Sequence, residues 1–483
     1  MIYEYDLREV LIIDPDLKGV APHVSTLLPD AGRSAAGTVA AAMTAAGLAE
    51  VLSGIATSPL SDSAGTATIQ RLLHALGVGL ISARLDPYAA SMRALSGERG
   101  ESTVLASRET LSDCGAAFVN AVAMHSSLQE DCGPGGYHGG SHPGVYIIPA
   151  ALAAAESIGA SGERLLRGVA VGYEAAHRVG ASVPPGLVAR KFRPVGVIGP
   201  FGAAAAAASI LGDGASVIRR AIGFAANLSA GTSQGFVPGT MEPYFHAGFS
   251  ARNGLLAAKL AVAGAPAAEN ALEGPHGFFA VYAGEPGLYE ALSAPQERLA
   301  VERLGSKKYA ACLQNQESLE LATELGRRLG GSRIRSAVLE RPDTSANGTA
   351  SPGVGAEPPY ITMLQRQMSA RYTVAAALLG RNVRAPMYFQ KDDREVSRLA
   401  GQIELRMAAG DEIALTADLG GKRVSIRGRR ESILFPTPQE TAELFLTRAG
   451  LVLGTGGAAS ARQKIDSLPG LANVRELTSA LRT

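Results

Sequence analysis

The sequence predicts a mainly α protein: a large all-helical domain plus a smaller α+β domain inserted before the C-terminal helices. Three observations carry this. Apolar residues recur at helical spacing from residue 48, as in TATIQRLLHALGVGLISA (66–83), where Ile69, Leu72, Leu73, Leu76, Val78 and Ile81 line one face. Small residues dominate, with 57 Gly and abundant Ala, which lets helix backbones approach closely. Around residue 300 the pattern changes: RIRSAVLE (333–340) alternates like a strand, and IALTA (413–417) and RVSIR (423–427) flank a Gly420-Gly421 turn as a hairpin.

The elements are expected in this order. Residues 1–47 form a poorly patterned leader or arm, with an Ala-rich helix candidate at 35–49. The first helical part, 48–300, holds the 66–83 helix, in which His74 reads as structural or exposed. A helix, a turn and a short TVLA segment follow over 86–113. Residues 116–124 are apolar all round, so that helix should be buried on every side. Another buried helix spans 145–156, and Ser161 caps one over 162–179. Helices at 203–211 and 215–228 precede an irregular loop, 230–248, and a helix at 250–264. The α+β segment, 301–435, carries helices near 315–329, 366–379 and 392–402, with a loop at 342–360. Residues 436–483 return to helix.

The 483 residues suggest two to three domains at about 150 residues each. With 46% hydrophobic and 18% charged residues, the core is large. A formal net charge of +1 without a long basic run speaks against nucleic acid and anionic membranes as partners. The apolar runs near 144–155 and 201–211 fall short of the about 20 residues a bilayer needs. The acidic N-terminus, MIYEYDLREV, lacks a signal-peptide pattern. Cys114, Cys132 and Cys312 are too widely spaced for a disulfide framework or a zinc site. A soluble cytoplasmic protein is expected.

Chemistry concentrates between Gly115 and Ala150. There an apolar helix breaks into LQEDCGPGGYHGGSHPG, a loop rich in Gly and titratable groups lying between two buried helices. The order of segments resembles the MmgE/PrpD family. The resemblance rests on GAAFVNAVAMH (115–125), HPG (142–144) with VYIIPAALA (145–153), and GERLLRGVAVGYEAAHRVG (162–180). Further matches are FRPVGVIGPFGAAAAAASILG (192–212), HAGFSARNGLLAAKLAVAG (246–264), KKYAAC (307–312) and QMSARYTVAAALLG (367–380). It implies a homodimer of two-domain subunits whose active site lies between the domains and uses no metal or cofactor. It also implies proton or carboxylate removal beside another carboxylate of a small organic acid. On it, His142 matches a catalytic histidine, Lys307 a carboxylate-holding lysine and Tyr372 a site tyrosine.

The departures from that pattern shape the expectation. Where the family reads Asp-Phe-Asp-Asp-Thr, this chain has Leu128-Gln129-Glu130-Asp131-Cys132, so one carboxylate is lost while Glu130 and Asp131 remain as catalytic candidates. The loop before His142 adds His138. Arg193 replaces a histidine, giving up proton transfer near neutral pH for a bidentate grip on a carboxylate. An expected lysine is missing near Glu242 and His246, which become substrate-binding candidates with Arg193 and His138. Cys132, among acids, is a poor nucleophile. The leading expectation is a cofactor-free lyase or isomerase acting by proton abstraction next to a carboxylate, with an atypical site. The alternatives are a specialised biosynthetic enzyme working on a larger intermediate and a catalytically retired binding or scaffold protein.

Overall fold

The computed structural model describes residues 44–132, 141–342, 351–410, 412–428 and 434–483. The expected leader up to residue 43 and His138 lie outside the described residues. The helices used below are α1 (Ala45–Thr57), α2 (Asp62–Ser82), α3 (Asp86–Ala94), α4 (Asp113–Ser126), α5 (Gly144–Ile158), α6 (Gly162–Ala181), α7 (Pro194–Leu211), α8 (Ala215–Leu228), α9 (Glu242–Val262), α10 (Gln316–Leu329), α11 (Met363–Met368), α12 (Ala370–Leu378), α13 (Arg394–Ala400), α14 (Pro438–Asp466) and α15 (Arg475–Ser479). The fold is mainly α with small sheets, as expected.

α7 lies at the centre of the helical part. Its residues from Val195 to Ala208 are all buried, and it packs against α5, α6, α8 and α9. The apolar run at 201–211 is only its second half. Pro194 sits in the first turn, where a missing N–H costs nothing, so the helix begins there and spans 18 residues. By length and composition α7 is apolar enough to cross a membrane, yet 83% of it is buried within the protein. α9 shows the same effect: Pro243 opens it, so it begins at Glu242, and the expected loop over 230–248 gives up its last residues to helix.

Local signals start the other helices. The side chains of Ser61, Ser112 and Ser161 accept from Ala64, Gly115 and Arg164 backbone N–H groups, each at 3.0–3.2 Å, worth about 1 kcal/mol apiece. Thr437 and Glu440 form a reciprocal capping box at the start of α14. The C-terminal helices return to the first part through Glu156 on α5. Its carboxylate accepts from Thr103 N at 2.8 Å, Thr103 Oγ1 at 2.6 Å and Thr478 Oγ1 at 2.6 Å.

The strands are β1 (Ser102–Thr103), β2 (Thr110–Leu111), β3 (Asp131–Cys132), β4 (Gly305–Ser306), β5 (Ser336–Arg341), β6 (Ile403–Met407), β7 (Ile413–Asp418) and β8 (Arg423–Gly428). Four of them form a sheet in the order β6-β5-β7-β8. β7 and β8 are the expected hairpin, in register from Ile413↔Gly428 to Asp418↔Arg423, and Gly420 and Gly421 supply the positive φ values of its turn. β6, parallel to β5, was not anticipated.

Two apolar clusters result. One gathers α1, α2 and α4–α9 with the ends of α14 and α15. The other runs from Tyr309 to Ile426 and takes in Leu128, Phe236 and Tyr244 from the first part. The structure places the short β3–β4 ladder where those two meet.

Glycine spacing sets how closely α9 approaches α7. A Cβ on Gly254 would lie 2.4 Å from Ala203 Cβ and 2.8 Å from the Pro200 carbonyl oxygen, whereas one on Gly65 in α2 meets nothing within 4 Å. Gly254→Ala should therefore destabilise by about 1–3 kcal/mol, while Gly65→Ala should stabilise by about 0.5–1 kcal/mol. Thermal unfolding of the two variants checks this, and equal shifts would refute the close approach.

Candidate active site

The site starts at the end of α4. That helix is buried from Gly115 to Ser126, then turns out through Leu128, whose φ is +53°. The chain runs antiparallel to β4, pairing Asp131 with Ser306 and Cys132 with Gly305. One step further, Lys307 N–H donates to the Glu130 carbonyl at 3.2 Å. This register sets Glu130 and Lys307 side by side as cross-strand neighbours. Lys307 Nζ bonds Glu130 Oε1 at 2.7 Å, and both side chains are 1% exposed. Arg71 on α2 holds the ladder from behind by donating to Ser306 Oγ at 2.9 Å. The Gln129 side chain donates to the carbonyls of Lys308 and Arg384, each at 3.0 Å.

Glu130 is also the meeting point of two histidines. His142 Nε2 and His125 Nδ1 each lie 3.5 Å from Glu130 Oε1, and the two rings are 5.9 Å apart. Those distances permit charge attraction but not firm hydrogen bonds. His142 Nδ1 sits 2.9 Å from the Asp131 carbonyl oxygen. A carbonyl can only accept, so Nδ1 carries the proton and Nε2 presents a lone pair towards Glu130. Burial pushes His142 well below the usual histidine range, Lys307 adds to the effect, and Glu130 opposes it. The neutral ring is therefore the resting form. Burial alone would raise Glu130, but the Lys307 ammonium outweighs it and holds the carboxyl well below its usual range, so Glu130 stays ionised. Its Oε2 is buried without a hydrogen-bond partner among the described residues.

Ser141 and His142 both have positive φ, +43° and +60°. Non-glycine residues in this region cost of order 1–3 kcal/mol each and persist where surrounding structure over-determines them. What over-determines them is Asp131. Its carboxylate accepts from Gly144 N–H at 3.0 and 3.2 Å and from Tyr173 OH at 2.5 Å. A Cβ on Gly144 would lie 2.7 Å from the Tyr173 oxygen, so HPG needs its glycine. Asp131, expected as a catalytic acid, is thus committed to the start of α5. Its backbone carbonyl, not its carboxylate, meets His142.

The remaining candidates divide. Arg193 lies over the Phe236 ring at 4.8 Å and its charge reaches His125, His142 and His246. Its backbone N–H bonds Gly231, against which the His246 ring packs. His246 is 8% exposed, and burial followed by Arg193 pushes it down to about 4. Arg193 and His246 therefore border the Glu130 cluster. Glu242 does not enter it: it is exposed in the first turn of α9, where Thr240 and its own backbone N–H hold its carboxyl low. Tyr372 is fully buried among Tyr360 and Phe389, and its hydroxyl accepts from Asp393 N–H at 3.1 Å. None of these contacts is with Glu130, His142 or Lys307. Cys132 is buried and its thiol is pushed up to about 12, which removes it as a nucleophile.

Sequence reasoning missed His125, which ends an otherwise apolar helix, and Arg71, hidden on the buried face of α2. A histidine or arginine on a helix surface with no polar face was the available signal. Leu128, where the resemblance expects a carboxylate, packs instead into the second apolar cluster. Among the described residues, no group of three or more His, Cys, Asp or Glu side chains is arranged to hold a metal ion.

A family model described as the MmgE/PrpD N-terminal domain matches residues 46–290. Cis-aconitate decarboxylase of Homo sapiens is 25% identical over 375 residues, covering 74% of this chain and 75% of that protein. Cis-aconitate decarboxylase of Mus musculus is 28% identical over 243 residues, 49% of each. With over half of its length matched in the same segment order, the chain belongs to the MmgE/PrpD family.

Proposed function

We propose that this protein is a cofactor-free lyase or isomerase that removes an activated proton next to a carboxylate of a small organic acid. The observation that carries the reading is a neutral His142 whose proton is fixed on Nδ1, leaving Nε2 free as a base beside ionised Glu130. When Nε2 takes a proton, Glu130 stabilises the imidazolium that forms. Arg193 supplies a cation for the substrate carboxylate, and the Lys307–Glu130 pair orients the base. The similarity to cis-aconitate decarboxylases supports lyase chemistry. The substitutions Leu128 and Arg193 favour a different acid from the one in their name. Contact of His142 and Lys307 with one carboxylate weighs against a retired scaffold.

A panel of small unsaturated and amino-substituted carboxylic acids, cis-aconitate among them, should yield one that is turned over. On that acid, His142→Asn should lower kcat by about 10²–10⁴-fold with little change in KM. An unchanged kcat would sink the proposal.

Burial also predicts an acid sensitivity. His74, His125, His142 and His246 all have depressed pKa values with burial as the leading cause. The unfolded chain then binds more protons than the folded one between those depressed values and about 6.5, so stability rises with pH across that window. Asp131, raised by burial, opposes this as a single group. The thermal midpoint should drop between about pH 7.5 and about pH 5.5, and less so in His74→Gln. A midpoint that holds or rises at the lower pH contradicts the buried neutral histidines.

The partner in this reading is a second copy of the chain. Phe249, Leu256 and Leu260 stand 38–48% exposed at helical spacing on α9, an apolar stripe of the kind that marks an interface. Light scattering should give the mass of a dimer, and Leu256→Glu should shift it towards the monomer. A wild-type monomer at micromolar concentration would count against it.

A further inference from the structure

A cavity of about 520 Å³ lies on the side of the β3–β4 ladder facing α2 and α14. His74, Ser306, Lys308, Arg384, Leu444 and Thr447 are among its walls. Its electrostatics are unusual for a surface cleft. Arg448, one turn beyond Leu444 on α14, is 7% exposed and reaches across to α2, its Cδ lying 3.7 Å from where a Cβ on Gly77 would sit. Among the described residues it has no hydrogen bond and no ion pair, and its Nη1 is buried without a partner. Arg71 is 6% exposed with Nε in the same condition, its one bond going to Ser306. Arg384, exposed at the rim, has no carboxylate within ion-pair distance among the described residues.

Glu320, Glu440 and Glu443 also line the cavity, and each already has a hydrogen-bond donor. Glu320 accepts from Lys308 Nζ at 2.8 Å and from Tyr309 OH at 2.6 Å. Glu440 closes the capping box with Thr437, and Glu443 accepts from Gln439 at 3.0 Å. Arg384 on the cavity wall and Arg448 behind it on α14 are left without an ion pair among the described residues, whereas the charge of Arg71 is felt by Asp131. A buried, unpaired cation is costly, and an unsatisfied buried donor calls for a missing ligand. The fields of Arg448 and Arg71 are felt at His74, which lines the cavity and is further depressed by both. The volume exceeds that of a bare ion and falls in the range of small-molecule sites, about 300–1,000 Å³.

We propose that this cavity binds a small phosphate monoester, with the phosphate against Arg448 and Arg384. The guanidinium fork matches phosphate oxygens, and a dianion neutralises more of the cluster than a carboxylate does. The site is separate from the Glu130–His142 cluster but shares the Ser306–Lys307 wall with it.

Calorimetric titration at constant ionic strength tests this, with inorganic phosphate and glycerol 3-phosphate as probes. Both should bind the wild type saturably, the ester at least as tightly. Arg384→Gln and Arg448→Met should each weaken binding by about tenfold or more, and His142→Asn should leave it unchanged. Arg384 is exposed, so its variant keeps the test sound if Arg448→Met folds poorly. Arg448→Met should also render the thermal midpoint insensitive to phosphate. The proposal falls if neither probe binds, if the ester is excluded while phosphate binds, or if both arginine variants bind as the wild type does. Loss of binding in His142→Asn with retention in the arginine variants would also overturn it.

Discussion

The buried ion pair between Lys307 and Glu130 organises the candidate site. Both residues lie where the chain passes from the first apolar cluster to the second, and the β3–β4 ladder is what brings them into register. Such a pair is a poor source of net stability, because desolvating both charges offsets most of their attraction. Removing one partner alone costs about 3–5 kcal/mol by stranding the other. The pair is better understood as a positional device. It holds a carboxylate ionised in the interior, and that carboxylate lies 3.5 Å from both His142 and His125. Around it, strain and close approach serve the same geometry. Asp131 anchors Gly144, and the chain accepts positive φ at Ser141 and His142.

Against the family resemblance, we read the site as rebuilt rather than stripped. Leu128 fills the place of a carboxylate by packing into the second apolar cluster. Arg193 takes the place of a histidine and acts electrostatically on three others. The result sets the Arg193 guanidinium beside a group of neutral histidines, with Lys307 bound to Glu130. On the function proposed above, that balance suits a substrate with fewer carboxylates than a tricarboxylate, because a buried carboxylate without a counter-charge is costly.

Much of the fold was legible because helix periodicity and caps are local. The 66–83 face became α2, 215–228 became α8, and Ser161 caps α6 as its position suggested. The Gly420-Gly421 turn identified its hairpin for the same reason. Where proline opens a helix, at Pro194 and Pro243, composition reads as loop and the start is placed too late. β6 was invisible because IELRM is largely exposed at a sheet edge, and β3 and β4 because two-residue strands have no period. The site was partly legible. His142 and Lys307 stood in quotable motifs, and they meet at one carboxylate. The contacts of Tyr372 are set by the second cluster, and those of Glu242 by a helix start that the loop reading concealed. His125 and Arg71 gave only the weak signal of a lone titratable group in a mainly apolar helix, and only tertiary packing reveals that the group lies inside.

The central claim is that His142 rests as a neutral base with its proton on Nδ1. Nitrogen-15 NMR of histidine-labelled protein, with His142→Asn to assign the resonance, tests it most directly. The account predicts, near neutral pH, a neutral ring protonated at Nδ1 that resists protonation well below the usual histidine range. An imidazolium at that pH, or a neutral ring protonated at Nε2, would contradict it.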